Sequence, residues 1–111
     1  MTPTEAQKVV TVAMALDGRI GSAVPPKMMG NIWHDVFSDY YDKTDPVQAG
    51  FAVQFIKRRY AHGQVVDGRT VPPIMPGEIV DAWGDQQYEA RGRQVQREMM
   101  ERELRQIEGG A

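Results

Sequence analysis

The architecture of this chain is decided by the stretch PGEIVDAW, residues 76–83, and by the charged sequence GDQQYEARGRQVQREMMERELRQIE that follows it over residues 84–108. Pro76 fits the first position of a helix, and Ile79 and Trp83 are spaced to lie on one helical face. The apolar spacing stops at Trp83, where charged residues take over. The stretch therefore predicts a helix that starts in a hydrophobic core and is followed by an exposed segment.

The composition of the whole chain, together with this division, indicates the fold class. Its 111 residues are 41% hydrophobic and 25% charged, which is typical of one small folded domain. We predict a mainly α protein. It consists of a compact helical domain over residues 1–83, which completes a small bundle of about four helices, and an arm over residues 84–111. The arm is predicted to be a long charged C-terminal helix or a flexible, partly disordered segment.

Two proline-containing stretches carry helix-start signals. In TPTE, residues 2–5, a capping threonine precedes proline and glutamate, and Asp17-Gly18 is placed to end the helix. In DPVQ, residues 45–48, aspartate, proline and glutamine occupy the same positions. We therefore predict that a third helix is capped by Asp45 and runs to about His62.

An apolar stripe predicts the second helix over about residues 27–41. The stripe consists of Met29, Ile32, Trp33, Val36, Phe37 and Tyr40. Opposite it lie Asp35, Asp39 and Asp42, an acidic face that we expect to be solvated because it lacks a glycine-centred calcium loop. Further along, Asp67-Gly68 stands between two apolar pairs and predicts a short hairpin or ordered loop.

The sequence holds no constellation typical of catalysis or metal binding. It has no cysteine, and His34 and His62 lack the spacing of metal ligands. We therefore expect no enzymatic activity and no cofactor. The N-terminus lacks the basic and apolar regions of a signal peptide, and no apolar run approaches the roughly 20 residues of a membrane span. We therefore expect a cytoplasmic protein without membrane contact.

The arm carries the main candidate residues for binding a partner. These are Val95, Met99, Met100, Leu104 and Ile107, with Arg97 among them. Their spacing is helical but does not form a heptad seam. The pattern predicts a helix that docks into a groove of a protein partner, where methionine adapts well to the surface, or that pairs with a second copy of the chain. The alternative is a solvated, partly frayed helix that has no partner.

Some residues of the arm favour a helix, and one disfavours it. The i, i+4 pairs of favourable order are Glu89–Arg93, Glu98–Arg102 and Glu101–Arg105. Each such pair contributes only about 0.2–0.5 kcal/mol. Gly92 opposes them, since glycine costs roughly 1 kcal/mol relative to alanine inside a helix.

A basic cluster offers a second type of contact. Lys57, Arg58 and Arg59 end the third predicted helix, and Arg69 follows in the next loop. Cations beside the ring of Tyr60 could contact phosphates while the ring stacks on bases, as in a small DNA-binding regulator. The helix dipole gives the three helical cations an alternative, structural reason to be there. The net charge of −2 excludes a globally basic nucleic-acid binder.

A larger pattern extends over residues 29–83, about half of the chain. A helix bearing Trp33 leads to an acidic link, a second helix contains Ala52, and VPPI, residues 71–74, leads to the helix start at Pro76. This pattern resembles the N-terminal helical domain of the phage replicative-helicase loaders, the family described as loader and inhibitor of the phage helicase.

The resemblance implies a non-enzymatic DNA replication accessory protein of a phage, acting in a bacterial host as a helicase loader or modulator. In that family a helical domain precedes a C-terminal segment that contacts the hexameric replicative helicase, and the loader holds the helicase inactive and delivers it to an origin complex. Trp33, Ala52, Pro72-Pro73 and Ile79 would be framework residues. Residues 88–107 would correspond by position to the helicase-contacting segment. The arm alone leaves one alternative open, a structural or assembly protein that oligomerises through its C-terminal helix.

Overall fold

The structure is a computed structural model that describes residues 1–22, 24–38 and 45–109. Within these ranges the chain forms four helices and one small hairpin. They are α1 (Pro3–Leu16), α2 (Pro26–Ser38), α3 (Ala49–Arg59), β1 (Val65–Val66), β2 (Arg69–Thr70) and α4 (Pro76–Gly109). The prediction of a mainly α fold with a long C-terminal helix is confirmed.

Two local signals produce the structures they predict. At the start of α1, the Thr2 side chain accepts a hydrogen bond from the backbone N–H of Glu5, and the Glu5 carboxylate accepts one from the backbone N–H of Thr2. Between the antiparallel strands β1 and β2, Asp67 and Gly68 have φ values of 53° and 76°. Positive φ at both central residues is what a tight type I′ hairpin turn requires.

The core lies where α1, α2, α3 and the first turns of α4 meet. α1 packs against α2 and α3, and α4 packs against the same two helices. The buried apolar residues are Ala6, Val9, Val10, Ala13, Ile20, Trp33, Phe37, Val47, Ala52, Ile56, Tyr60, Ile74, Ile79 and Trp83. α2 lies close to α1 at Gly30, where a Cβ would lie 2.0 Å from Oε1 of Gln7, so the Gln7 side chain would have to move if another residue stood there. The core is therefore built entirely from residues 1–83, which we call the body.

The start of the third helix differs from the prediction. Residues 45–48 are not helical, and α3 begins after Gln48, whose side chain makes no capping hydrogen bond. The reason is tertiary. The carbonyl of Asp45 accepts a 2.7 Å hydrogen bond from the Trp83 indole, and the carbonyl of Val47 accepts one from the N-terminal ammonium group. These contacts, with the complete burial of Val47, override a local signal of about 1 kcal/mol.

One other boundary and one core prediction also change. α3 ends at Arg59, earlier than the predicted His62. Trp33 and Phe37 are buried edge to face, but Ile32, predicted on the same apolar stripe, is 44% exposed because it lies in an open apolar groove of about 390 Å³ beside Met75. The predicted positions Asp39, Tyr40 and Asp42 lie outside the described residues.

Asp17 is fully buried, although its position after α1 predicts only that it ends the helix. Its carboxylate accepts hydrogen bonds from the side chain and backbone N–H of Arg19 and from the Tyr60 hydroxyl at 2.8 Å. The Tyr60 hydroxyl in turn accepts a hydrogen bond from the backbone N–H of Ile74, and Arg19 donates one to the Val71 carbonyl. This network ties the C-terminal ends of α1 and α3 to the segment that precedes α4.

The same hydrogen bonds set the ionisation of the network. Hydrogen bonds from the Arg19 side chain, with smaller contributions from Tyr60 and the backbone, lower the pKa of Asp17 to about 2 despite its burial. Burial raises the pKa of Tyr60, and the Asp17 carboxylate raises the pKa of Arg19. Asp17 is therefore ionised at neutral pH and paired with a cation.

Candidate protein-binding surface

The arm is a continuation of α4 that leaves the body. The helix runs without a break across residue 84, and every residue from Tyr88 to Gly109 is exposed. A helix of 34 residues is about 51 Å long, and it stretches the molecule to 69 × 35 × 17 Å. The radius of gyration is 19.3 Å, against about 13 Å for a compact domain of this length.

Large apolar side chains are exposed along the arm in two rows. At 100° per residue, the members of the first row lie within about 40° of one another around the helix, and those of the second within about 60°. The proximal row consists of Tyr88, Val95 and Met99. The distal row consists of Met100, Leu104 and Ile107. The centres of the two rows are about 125° apart around the helix.

Neither row continues the face of α4 that packs on the body. Pro76, Ile79 and Trp83 define that packed face. The proximal row lies about 150° from it, nearly opposite, and the distal row lies about 90° from it. The side of the arm in line with the packed face instead carries polar and charged residues such as Glu101. The apolar surface of the arm is therefore separate from the core.

The structure distributes the predicted partner-binding residues over the two rows and their borders. Val95 and Met99 belong to the proximal row, and the other three apolar candidates form the distal row. Arg97 lies about 20° from Leu104 around the helix and so borders the distal row. Tyr88, which is 81% exposed, was not predicted as a contact. Its position seven residues before Val95 is the sequence signal that could have identified it.

The three ion pairs predicted along the arm are open in the structure. None of the three i, i+4 pairs predicted from the sequence comes within 4 Å, among the residues that the structure describes. A hydrogen bond of 3.4 Å from Nε2 of Gln94 to the Glu98 carboxylate is present instead. Since a helix without tertiary packing is only marginally stable in water, its intrinsic propensity decides how helical the arm is before it meets a partner.

Gly92→Ala is expected to make the free arm more helical. A Cβ at residue 92 meets nothing within 4 Å, and alanine is favoured over glycine in a helix by roughly 1 kcal/mol. Amide hydrogen exchange over residues 88–108 should slow by about fivefold. Gly50→Ala is a matched control in α3, where a Cβ also meets nothing within 4 Å, and it should leave exchange in the arm unchanged. Unchanged exchange in the Gly92 variant would contradict the expectation.

Arg59, predicted as a nucleic-acid contact, has a structural role. Its side chain is half-buried, and Nη1 lies 2.5 Å from Oε2 of Glu78. Nε and Nη2 donate hydrogen bonds to the carbonyl of Pro72. Arg59 therefore fastens the end of α3 to the start of α4, and its guanidinium is occupied by these acceptors.

The other predicted nucleic-acid contacts do not form a purely basic surface. Arg58 lines a pocket between α3 and α4 together with Asp85 and Glu89, whose carboxylates would repel a phosphate. Lys57 is exposed near the end of α3, and Arg69 is exposed on β2. The acidic side chains beside Arg58 weaken the electrostatic case for a phosphate-binding surface here.

The remaining predictions of site chemistry concern metals and membranes. His34 Nδ1 lies 4.0 Å from Asp35, and within the described ranges no three histidine, aspartate or glutamate side chains are grouped to hold a metal ion. None of the helices in that part of the chain is both long and apolar enough to cross a membrane.

Comparisons of the chain with protein-family models, with curated proteins and with solved structures find no match.

Proposed function

We propose that this protein is a non-enzymatic replication accessory protein of the phage type, a helicase loader or modulator that docks its arm onto a hexameric replicative helicase. The observation that carries the proposal is the arm, an unbroken helix whose exposed apolar rows do not continue its packed face. Apolar side chains grouped on one exposed element are typical of protein–protein contact surfaces. The resemblance of residues 29–83 to the loader family supports the helicase as the partner.

The charges of the arm favour a contact driven by apolar burial. Its five arginines and six acidic residues nearly balance, so long-range attraction to a charged partner is weak. Methionines at positions 99 and 100 can adapt to an apolar groove. Binding to the helicase should therefore weaken much less steeply as salt rises than binding to DNA through the basic cluster would.

The double variant Met99→Glu with Leu104→Glu tests the proposal, because it places one charge in each row. We expect its affinity for the purified hexameric replicative helicase of the same organism to fall by about 100-fold, since a carboxylate would be buried at each contact. Glutamate is a good helix former, so the arm keeps its conformation. Isothermal titration calorimetry measures the affinity, and the ATPase rate of the helicase is recorded with the same samples.

A control variant separates loss of contact from added charge. Ala90→Glu with Gln94→Glu adds the same two charges on the polar side of the arm and should bind like the unchanged protein. Equal binding by the two double variants would show that the apolar rows are not the docking surface. If the unchanged protein does not bind the helicase, the helicase is not its partner.

A further inference from the structure

The two rows occupy different lengths of the arm as well as different sides. The proximal row spans residues 88–99, and the distal row spans residues 100–107. Their centres lie about 14 Å apart along the axis and about 125° apart around it. An apolar surface of this form turns sharply around the helix between residues 99 and 100.

One straight helix lying along the arm cannot cover both rows. Two paired helices keep the same sides in contact, apart from the drift that supercoiling absorbs, which is about 20° per seven residues. Between the centres of the two rows this drift amounts to about 30°, and it runs in the opposite direction to the 125° difference. A single partner helix would therefore cover one row and leave the other in water.

The same geometry excludes two simple occupants. The described residues of the body do not cover the rows, because α4 is continuous from Pro76 to Gly109 and carries them outward, beginning at Tyr88 about 18 Å from Pro76. A second copy of the chain, paired along the arm in either direction, contributes one helix and can cover only one row.

The borders of the rows indicate the chemistry of the partner. Arg102 lies about 20° from Val95 around the helix, and Arg93 and Arg97 each lie about 20° from Leu104. Arginines thus lie at the outer edges of both rows. Glu103 lies between the rows, about 40° from Met99 and from Ile107 around the helix, and Glu101 lies on the side in line with the packed face. Carboxylates at the edge of a partner surface would pair with these arginines.

We infer that the arm docks between two separate helical elements of its partner, each apolar and edged with carboxylates. One element packs on the proximal row, on the side of α4 opposite its packed face. The other packs on the distal row, about 90° from that face. The inference rests on the proposed function, in which the arm is the docking element, and it adds the form and charge of the surface that receives it.

Photo-crosslinking with the full-length protein tests this arrangement. A benzoylphenylalanine residue replaces either Val95 or Leu104, and each protein is irradiated with the purified hexameric replicative helicase. Mass spectrometry of the crosslinked peptides should locate the two positions on two different helices of the helicase. Affinities of two further variants are measured in parallel, Val95→Glu with Met99→Glu and Met100→Glu with Leu104→Glu. Each should bind at least about tenfold more weakly, while Ala90→Glu with Gln94→Glu should bind normally.

The outcomes separate the inference from the proposed function. Crosslinks from both positions to one helix, or loss of affinity in only one of the two row variants, would overturn the inference and leave the arm as the docking element. Crosslinks between two copies of the chain, together with a molecular mass of the protein that rises with its concentration, would show that the arm docks onto a second copy. That result would also overturn the inference. Unchanged affinity in every variant, or no binding by the unchanged protein, would overturn both the inference and the proposed function.

Discussion

Replacing Trp83 with alanine is expected to lower the free energy of unfolding by about 3–5 kcal/mol. Trp83 is 5% exposed, its ring lies edge to face with Phe51 at a centroid distance of 5.0 Å, and its indole N–H bonds the carbonyl of Asp45. Alanine removes the packing and leaves that carbonyl without its donor. For a domain whose total stability is of the order of 5–15 kcal/mol, the loss would be visible in any urea titration.

Trp83→Phe separates the two contributions. Phenylalanine keeps most of the apolar contact with Phe51 but removes the indole N–H, so we expect a smaller loss of about 1–2 kcal/mol. The urea midpoint measures both variants, with circular dichroism to check the folded state. A loss in the alanine variant no greater than that in the phenylalanine variant would mean that packing at this site contributes little.

Asp17→Asn is expected to destabilise the body by about 2–3 kcal/mol at neutral pH and to remove part of its acid sensitivity. The folded pKa of about 2 lies below the ordinary aspartate pKa of 3.8. Ionised Asp17 therefore contributes stability in full above about pH 4, and that stability is lost as the pH falls towards 2. A third of the Arg19 side chain is exposed and partly screened by water, so the pH-dependent part is about 1–2 kcal/mol.

Chemical denaturation at pH 7, 4 and 2 measures this effect. The stability of the unchanged protein should fall more between pH 4 and 2 than that of the asparagine variant, and the difference between the two isolates Asp17. The comparison is needed because the hydrogen bonds from Thr2 also lower the pKa of Glu5. Identical pH profiles would mean that the buried carboxylate does not set the acid response.

Local chemistry made part of the fold predictable. The capping box at Thr2 and the Asp67-Gly68 turn each depend on groups within about four residues, so the sequence pattern contains the whole interaction. The predicted start of α3 was wrong because the residues that determine the start lie far away in the sequence. Trp83 lies 38 residues from Asp45, and no local pattern shows that its indole will need a carbonyl there.

The candidate site was predictable to a similar extent. Helical spacing identifies Val95, Met99, Met100, Leu104 and Ile107 from the sequence. It does not show how the rows are oriented relative to the packed face of α4, because that orientation depends on α4 continuing without a break through residue 84. Two other contacts were missed for the same reason. Arg59 pairs with Glu78, which lies 19 positions later in the chain, and Asp17 is buried against Tyr60, which lies 43 positions later.

The continuity of α4 has a mechanical consequence. Trp83 inside the core and Leu104 near the tip belong to one rod, about 31 Å apart along its axis. A partner surface that binds both sides of the tip therefore fixes the distance, the tilt and the rotation of the body relative to that surface. Copies bound at equivalent points of a symmetric assembly would then hold their bodies at one common height and orientation.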